Sequence, residues 1–274
     1  MMRQARPLGA FPPASLGFLA EKNPSIKLLA VMVTALVLTF IFDPVTPGIL
    51  FLLTLLAGKY LGGIRFRDQI RPLLVFLIAG VAILLANIFF NKENAASEAL
   101  IWVGPVKITG PALWAAGSLW LRLMCFALLS LVFVRTTSPQ YLILSLIHQV
   151  HLNCRVAYGT MVGYRMLPLL QADYETIRAA QRVRGVREGR GVLHAWGRLR
   201  RYAIPLLAGS VRKAGRVALA MDARAFGAFP DRTYRLRMVV RRGDWIFLVA
   251  VLAMVAALVV GLRLLGIARF TIVG

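Results

Sequence analysis

Acidic side chains are scarce in this sequence: 11 Asp and Glu stand against 33 Lys and Arg, and charged residues of both signs make up only 16% of the 274. Soluble domains run near roughly 25% charged and 45–50% apolar, whereas this chain is 59% apolar. That imbalance excludes disorder, which needs low hydrophobicity, and points to a protein solvated by lipid. Cysteine is almost missing. Cys125 and Cys154 are too few for a disulfide framework, lack the CxxC spacing, and leave the compartment open. The signatures of several chemistries are missing as well. No GxxxxGK[ST] phosphate loop occurs, since Gly58-Lys59 is followed by Tyr60, and neither GxSxG nor HExxH appears. The apolar stretches hold no paired Glu, His or Asp, which argues against an intramembrane enzyme. His148 and His151 have the spacing of a metal pair on one helix face, yet no acidic or third ligand is near in sequence, so neither metal nor cofactor is expected. The first 27 residues carry four prolines and no long apolar run, so no secretory signal peptide is expected.

Long apolar runs are what the chain does have. A bilayer core about 30 Å thick needs roughly 20 mostly apolar residues per helix. Five stretches approach that length: Ile26 to Phe42, Gly48 to Leu61, Pro72 to Phe90, Pro111 to Val134 and Trp245 to Ile267. Asp43-Pro44-Val45-Thr46-Pro47 interrupts the first two, because prolines remove donors and restrict their neighbours. Basic residues then fix an orientation. Arg3, Arg6, Lys22 and Lys27 precede the first stretch, Lys59, Arg65, Arg67 and Arg71 separate the second from the third, and 19 lie between Cys154 and Arg242. The alternate side holds Lys92, Lys107, Arg263 and Arg269. The positive-inside rule puts the N-terminus and the basic segment in the cytoplasm and the C-terminus outside. The net charge of +22 is then mostly a basic cytoplasmic face beside anionic lipid. No nucleic-acid recognition motif accompanies it. Arg122, inside the fourth stretch, is costly in lipid and should face protein or water, as a functional residue or as a donor to backbone carbonyls or to Asn87.

Between Val134 and Trp245 a segment too long for a plain loop should be structured. Thr136-Thr137-Ser138-Pro139 reads as a helix start. Two amphipathic helices follow, expected to begin at Pro168-Leu169-Leu170 and Pro205-Leu206-Leu207. On the first, Ala172, Thr176, Ala179, Ala180 and Val183 make a small-residue stripe; on the second, Leu207, Val211, Ala214, Ala218, Met221 and Ala225 make an apolar seam. Asp173 and Glu175 read as charge partners of Arg178 and Arg182. Each helix ends at an arginine, Arg184 before Gly185 and Arg224 before Ala225, a weak internal repeat. An arginine there is a five-donor fork suited to a partner's carboxylate, or a cation that complements the helix C-terminus.

Ala180-Gln181-Arg182-Val183-Arg184-Gly185 resembles the Ala-Gln-Arg-Ala-Arg-Gly signature of the transmembrane, or T, component of energy-coupling factor (ECF) transporters. Ala220-Met221-Asp222-Ala223-Arg224-Ala225-Phe226-Gly227 is similar to that family's second signature, Ala-Met-Glu-Ala-Arg-Gly-Phe. Asn23-Pro24-Ser25-Ile26-Lys27-Leu28 resembles its Asp-Pro-Arg-Thr-Lys-Leu box, and Tyr164 to Leu170 its Arg-Phe-x-Pro-Leu-Leu stretch. Asn23, Val183 and Ala225 depart from the pattern; both arginines are intact. The resemblance implies an all-α polytopic membrane protein, about five transmembrane helices plus cytoplasmic coupling helices in an L-shaped arrangement. Its parts would be a membrane part over 1–135, a coupling-helix module over 136–243 and a C-terminal span over 244–274. It further implies a non-catalytic subunit of a prokaryotic plasma-membrane importer, with two cytoplasmic ATP-binding-cassette (ABC) ATPases and a small membrane S component that captures a vitamin or metal ion. Arg184 and Arg224 would couple to the ATPases, with Ala180, Gln181, Arg182, Val183, Gly185, Ala223 and Ala225 around them. The stripe and the seam would form the helix crossing and offer an apolar face to the S component. Competing readings are the permease of an ordinary ABC importer and a membrane anchor without transport.

Overall fold

The computed structural model describes residues 17–41, 43–90, 101–103, 106–108, 110–185, 192–229 and 238–264. Their helices run α1 Phe18–Glu21, α2 Pro24–Thr39, α3 Val45–Tyr60, α4 Phe66–Phe90, α5 Gly110–Thr136, α6 Pro139–Gln149, α7 Cys154–Val183, α8 Val192–Asp222 and α9 Arg242–Leu264. Two three-residue strands, β1 Ile101–Val103 and β2 Val106–Ile108, pair antiparallel between α4 and α5, an element the sequence reading did not contain. The chain divides into two compact units, Met1–Ser145 with Met238–Gly274, and Leu146–Arg237.

In the first unit the described parts of the five apolar stretches fall on separate helices, α2, α3, α4, α5 and α9, with Ile41 and Leu61 just past the ends of α2 and α3; Phe42 and residues 265–267 lie outside the described residues. Leu113–Thr136 of α5 and the whole of α9 are long and apolar enough to cross a bilayer. α2 and α3 have 16 residues each, about 24 Å of rise, and α4 has 25. α5 is the central element, packed on α4 and α3 and touching α2, while α2 also packs on α9. Leu128 and Cys125 of α5 are fully buried, the first beside Leu73 and Val132 and the second among Leu38, Leu50 and Val255. Ile26 and Ala30 of α2 close on Leu248 of α9. The opposite face of α4, with Val75 and Ile78, is exposed, as a lipid-facing surface should be.

Polar side chains pin the places where helices stop. Asn23 caps α2 by accepting from the Ser25 N–H (3.1 Å), with Pro24 in the first turn. Lys27 is 3% exposed and donates Nζ to the carbonyls of Leu19 (3.0 Å) and Thr136 (2.9 Å), tying α1 and the end of α5 to α2. At the α2–α3 turn, Asp43 Oδ2 accepts from the N–H and Oγ1 of Thr46 (3.0 and 2.7 Å), and Ser118 Oγ donates to the Asp43 carbonyl (3.2 Å). Arg122, nearly half-way along α5, donates Nη2 to the Ile41 carbonyl and is attracted by Asp43. Of the two acceptors expected for it, the backbone is the one observed; the Asn87 side chain lies outside the described residues.

Arg122→Leu should therefore lower the unfolding temperature of the detergent-solubilised chain. It leaves a buried carbonyl without its donor, which costs about 1–3 kcal/mol, and Asp43 without a counter-charge. Arg122→Lys, which keeps a cationic donor, should lose less. An unchanged melting curve for the leucine variant would contradict this role.

Candidate functional site

The helices of the second unit are longer than their prolines suggest. α7 starts at Cys154 and α8 at Val192, so Pro168 and Pro205 lie inside helices rather than at their beginnings. A proline removes one backbone donor from the ladder, and a helix of about 30 residues keeps the rest of its bonds. Asn153 supplies the start of α7 by accepting from the Arg155 N–H (2.9 Å). His148 closes α6 while His151 stands beyond it at φ +56°, so the two histidines do not share a helix face.

α7 and α8 meet through an ion pair between Lys213 Nζ and Asp173 Oδ2 (2.5 Å) and an edge-to-face contact of Tyr174 with Tyr202, ring centroids 5.6 Å apart. Asp173 thus pairs across to α8. The two stripes are not the crossing surface. Ala172, Thr176, Ala179, Ala180 and Val183 are exposed on α7, and so are Leu207, Val211, Ala214, Ala218 and Ala225 in the α8 segment, with Met221 half-buried. Periodicity identifies a face but not what it packs against, and here the aromatic and ionic pairs a few residues round each helix make the contact. A third face of α8 is basic and exposed, with Arg198, Arg201, Arg212 and Arg216.

Arg184 and Arg224 occupy equivalent positions. Arg184 is the C-cap of α7; Gly185 follows at φ +76°, its N–H donating to the Arg182 carbonyl (3.0 Å). After α8, Ala225 takes φ +52°, its N–H donates to the Asp222 carbonyl (2.9 Å), and the Phe226 N–H reaches the Met221 carbonyl (3.0 Å). This is the hydrogen-bond pattern of a glycine-type helix end, with alanine in the left-handed position. Each arginine immediately precedes the left-handed residue, and both are exposed. So are Ala180, Arg182, Val183, Gly185 and Ala223, while Gln181 is half-buried.

The two tips lie at opposite ends of α7. Arg184 ends that helix, whereas the segment after Arg224 is fastened to its beginning: Arg155 Nη2 donates to the Gly227 carbonyl (3.2 Å) and Phe226 packs edge-on against Tyr158, centroids 5.6 Å apart. The 30 residues of α7 rise about 45 Å, so the arginines cannot serve one small site. Arg155 and Tyr158 were not among the expected site residues; a contact across 72 positions has no local sequence signal. Asn23, Pro24 and Lys27 belong to the first unit.

This geometry can be set beside known proteins. Residues 17–235 match the model of the CbiQ family, described as cobalt transport protein. The chain belongs to that family. It is 28% identical over 254 residues to the energy-coupling factor transporter transmembrane protein of Streptococcus thermophilus, covering 86% of this chain and 91% of the relative. The protein of the same name from Thermotoga maritima is 28% identical over 228 residues, covering 77% and 78%. A protein of Bifidobacterium longum named as an ABC transporter ATP-binding protein is 25% identical over 248 residues, which are 86% of this chain and 31% of that protein. Membership of the CbiQ family makes the chain an all-α membrane protein of transport, of the ECF transmembrane-component type.

The left-handed alanine gives a direct test of the tip geometry. An L-residue pays about 1–2 kcal/mol in that conformation, so Ala225→Gly should raise the unfolding temperature and Gly185→Ala should lower it. Equal and same-signed shifts in thermal melts of the two variants would show that the tips are not built alike.

Proposed function

We propose that this chain is the T component of an ECF importer, joining two cytoplasmic ABC ATPases to a small membrane S component and coupling ATP hydrolysis to uptake of a vitamin or metal ion. The observation that carries the reading is the pair of equivalent arginine tips about 45 Å apart along α7. Two separate acidic grooves, one per ATPase, fit that spacing, and each arginine supplies a planar fork for a carboxylate. The stretch of an ATP-binding protein that resembles this chain supports partnership with ATPases. So does the lack of a phosphate loop here: the energy comes from another polypeptide, and this subunit is not an enzyme. The exposed seam of Leu207, Val211, Ala214 and Ala218 is the apolar face offered to the S component. Residues 1–135 and 244–274 form the membrane part with five spans, 136–243 the cytoplasmic coupling module, and the positive-inside rule keeps the N-terminus in the prokaryotic cytoplasm and the C-terminus outside.

Purifying the tagged chain from native membranes tests this reading. One or two ABC ATPases and a small membrane protein should come with it, and that small protein identifies the substrate class. Arg184→Glu combined with Arg224→Glu should abolish ATPase recovery while membrane insertion persists, because each reversal puts like charges in contact. Either single reversal should impair uptake more than assembly. Undiminished ATPase recovery with the double variant would overturn the assignment of the tips; a periplasmic or lipoprotein binding protein in place of the S component would favour an ordinary importer.

A further inference from the structure

Within the first unit α2, α3, α5 and α9 do not close fully on one another. They leave a half-open cavity of about 300 Å³, at the lower end of the range for small-molecule pockets. It follows the helices from Lys27 to Thr34 on α2, Leu50 to Leu61 on α3, Leu129 to Thr136 on α5 and Phe247 to Val255 on α9, roughly 10–16 Å of helix. Nearly all of its wall is aliphatic or aromatic. An apolar void forfeits dispersion contacts along its whole lining, and in a bilayer the long apolar molecule available to restore them is a lipid chain.

The cavity is charged at one end only; elsewhere its polar groups are the hydroxyls of Thr34 and Thr54, the latter donating to the Leu50 carbonyl (2.7 Å). At the charged end the Lys27 ammonium lies among the Leu19 and Thr136 carbonyls, its two acceptors among the described residues. An ammonium has three donors, so one remains for an oxygen entering from the cavity. Asp244, the carboxylate that attracts Lys27, already accepts from the N–H groups of Asn23 (3.3 Å) and Arg241 (2.9 Å). Further positive charge converges on this end: Lys22 Nζ donates to the Gly243 carbonyl (3.1 Å), and Arg241 and Arg242 adjoin it, with Glu21 as the other acid nearby in sequence. An apolar channel running along the helices with a buried cation at one mouth has the polarity of a single anionic amphiphile.

We propose that this cavity is a lipid site, taking one acyl chain of an anionic phospholipid whose phosphate accepts a hydrogen bond from Lys27 Nζ. The site lies wholly in the membrane unit and does not depend on the coupling role of Arg184 and Arg224. Native mass spectrometry of the delipidated full-length chain, titrated separately with phosphatidylglycerol, phosphatidylcholine and free oleate, tests it. One phosphatidylglycerol should be retained, about ten-fold more tightly than phosphatidylcholine, which carries the same phosphate but adds a choline ammonium beside the Lys27 cation. Lys27→Gln should erase that preference. Because Lys27 also holds two carbonyls and so contributes to the fold, a second variant separates the two roles: Ala57→Leu, which narrows the cavity from the α3 wall and leaves Lys27 in place, should lose the retained lipid. Equal retention of the two phospholipids, unaltered retention by Ala57→Leu, or displacement of phosphatidylglycerol by oleate at equal concentration would each overturn the proposal.

Discussion

A bilayer offers no water to an exposed backbone, so each break in a helix at membrane depth must find its donors and acceptors inside the protein. The first unit, the membrane part on the proposed reading, is organised around two such breaks. At the α2–α3 turn the Ile41 and Asp43 carbonyls are met by Arg122 and Ser118, both from α5. At the opposite ends of these helices, the Leu19 and Thr136 carbonyls are met by Lys27. Burying each cation is expensive, roughly 3 kcal/mol for an Arg or Lys at the centre of a membrane helix on insertion scales, while single hydrogen bonds within membranes return nearer 1 kcal/mol. Net stability therefore does not account for these residues. What they fix is position, since a charge that can be satisfied in only one arrangement excludes the others. α5 becomes the reference helix against which the shorter α2 and α3 are registered.

The second unit obeys a different constraint, because it has almost no core. Among the described residues its buried apolar side chains are Ile147, Ala157 and Tyr202, while Val183, Trp196, Leu199, Ile204, Leu207, Val211 and Leu219 are exposed. A helix pair held, among the described residues, by two edge-to-face aromatic contacts, one partly exposed ion pair and the Arg155–Gly227 hydrogen bond is thinly stabilised by itself. Apolar exposure on this scale marks an interaction surface rather than a finished exterior. The basic face of α8 lies nearly opposite its apolar seam, so the helix presents different chemistries to different neighbours. On the proposed reading these are the S component and the ATPases.

The parts of this architecture that follow from local chemistry were readable in the sequence. Apolar length located the helices of the membrane unit, Thr136 to Pro139 marked the start of α6, and Gly185 marked the end of α7. Arg122 could be recognised as needing a protein partner, and the backbone alternative is the one observed. What failed needed information from elsewhere in the chain. Pro168 and Pro205 read as helix starts because the rule is local, and nothing local tells that the preceding 13 or so residues are also helical. The stripes on α7 and α8 have sound periodicity, yet the helices meet through Asp173, Tyr174, Tyr202 and Lys213, none of which is conspicuous beside a run of alanines. The clasp of Phe226 and Gly227 on Tyr158 and Arg155 was invisible for the same reason.

That clasp changes what two arginine-ended helices mean mechanically. Had both tips lain at one end of the pair, a single partner could have gripped them, and the unit would behave as a handle. With Arg184 at one end of α7 and Arg224 fastened near the other, two partners on the proposed reading hold one rod from opposite ends. When such partners approach each other, they load the rod between them instead of dragging it sideways. A helix resists that load through its hydrogen-bond ladder, and the ladder is weakest where a donor is missing, at Pro168 in α7 and Pro205 in α8. On the proposed reading the prolines thus belong to the coupling device as much as the arginines do: the arginines set where force enters, and the prolines set where the helices yield to it.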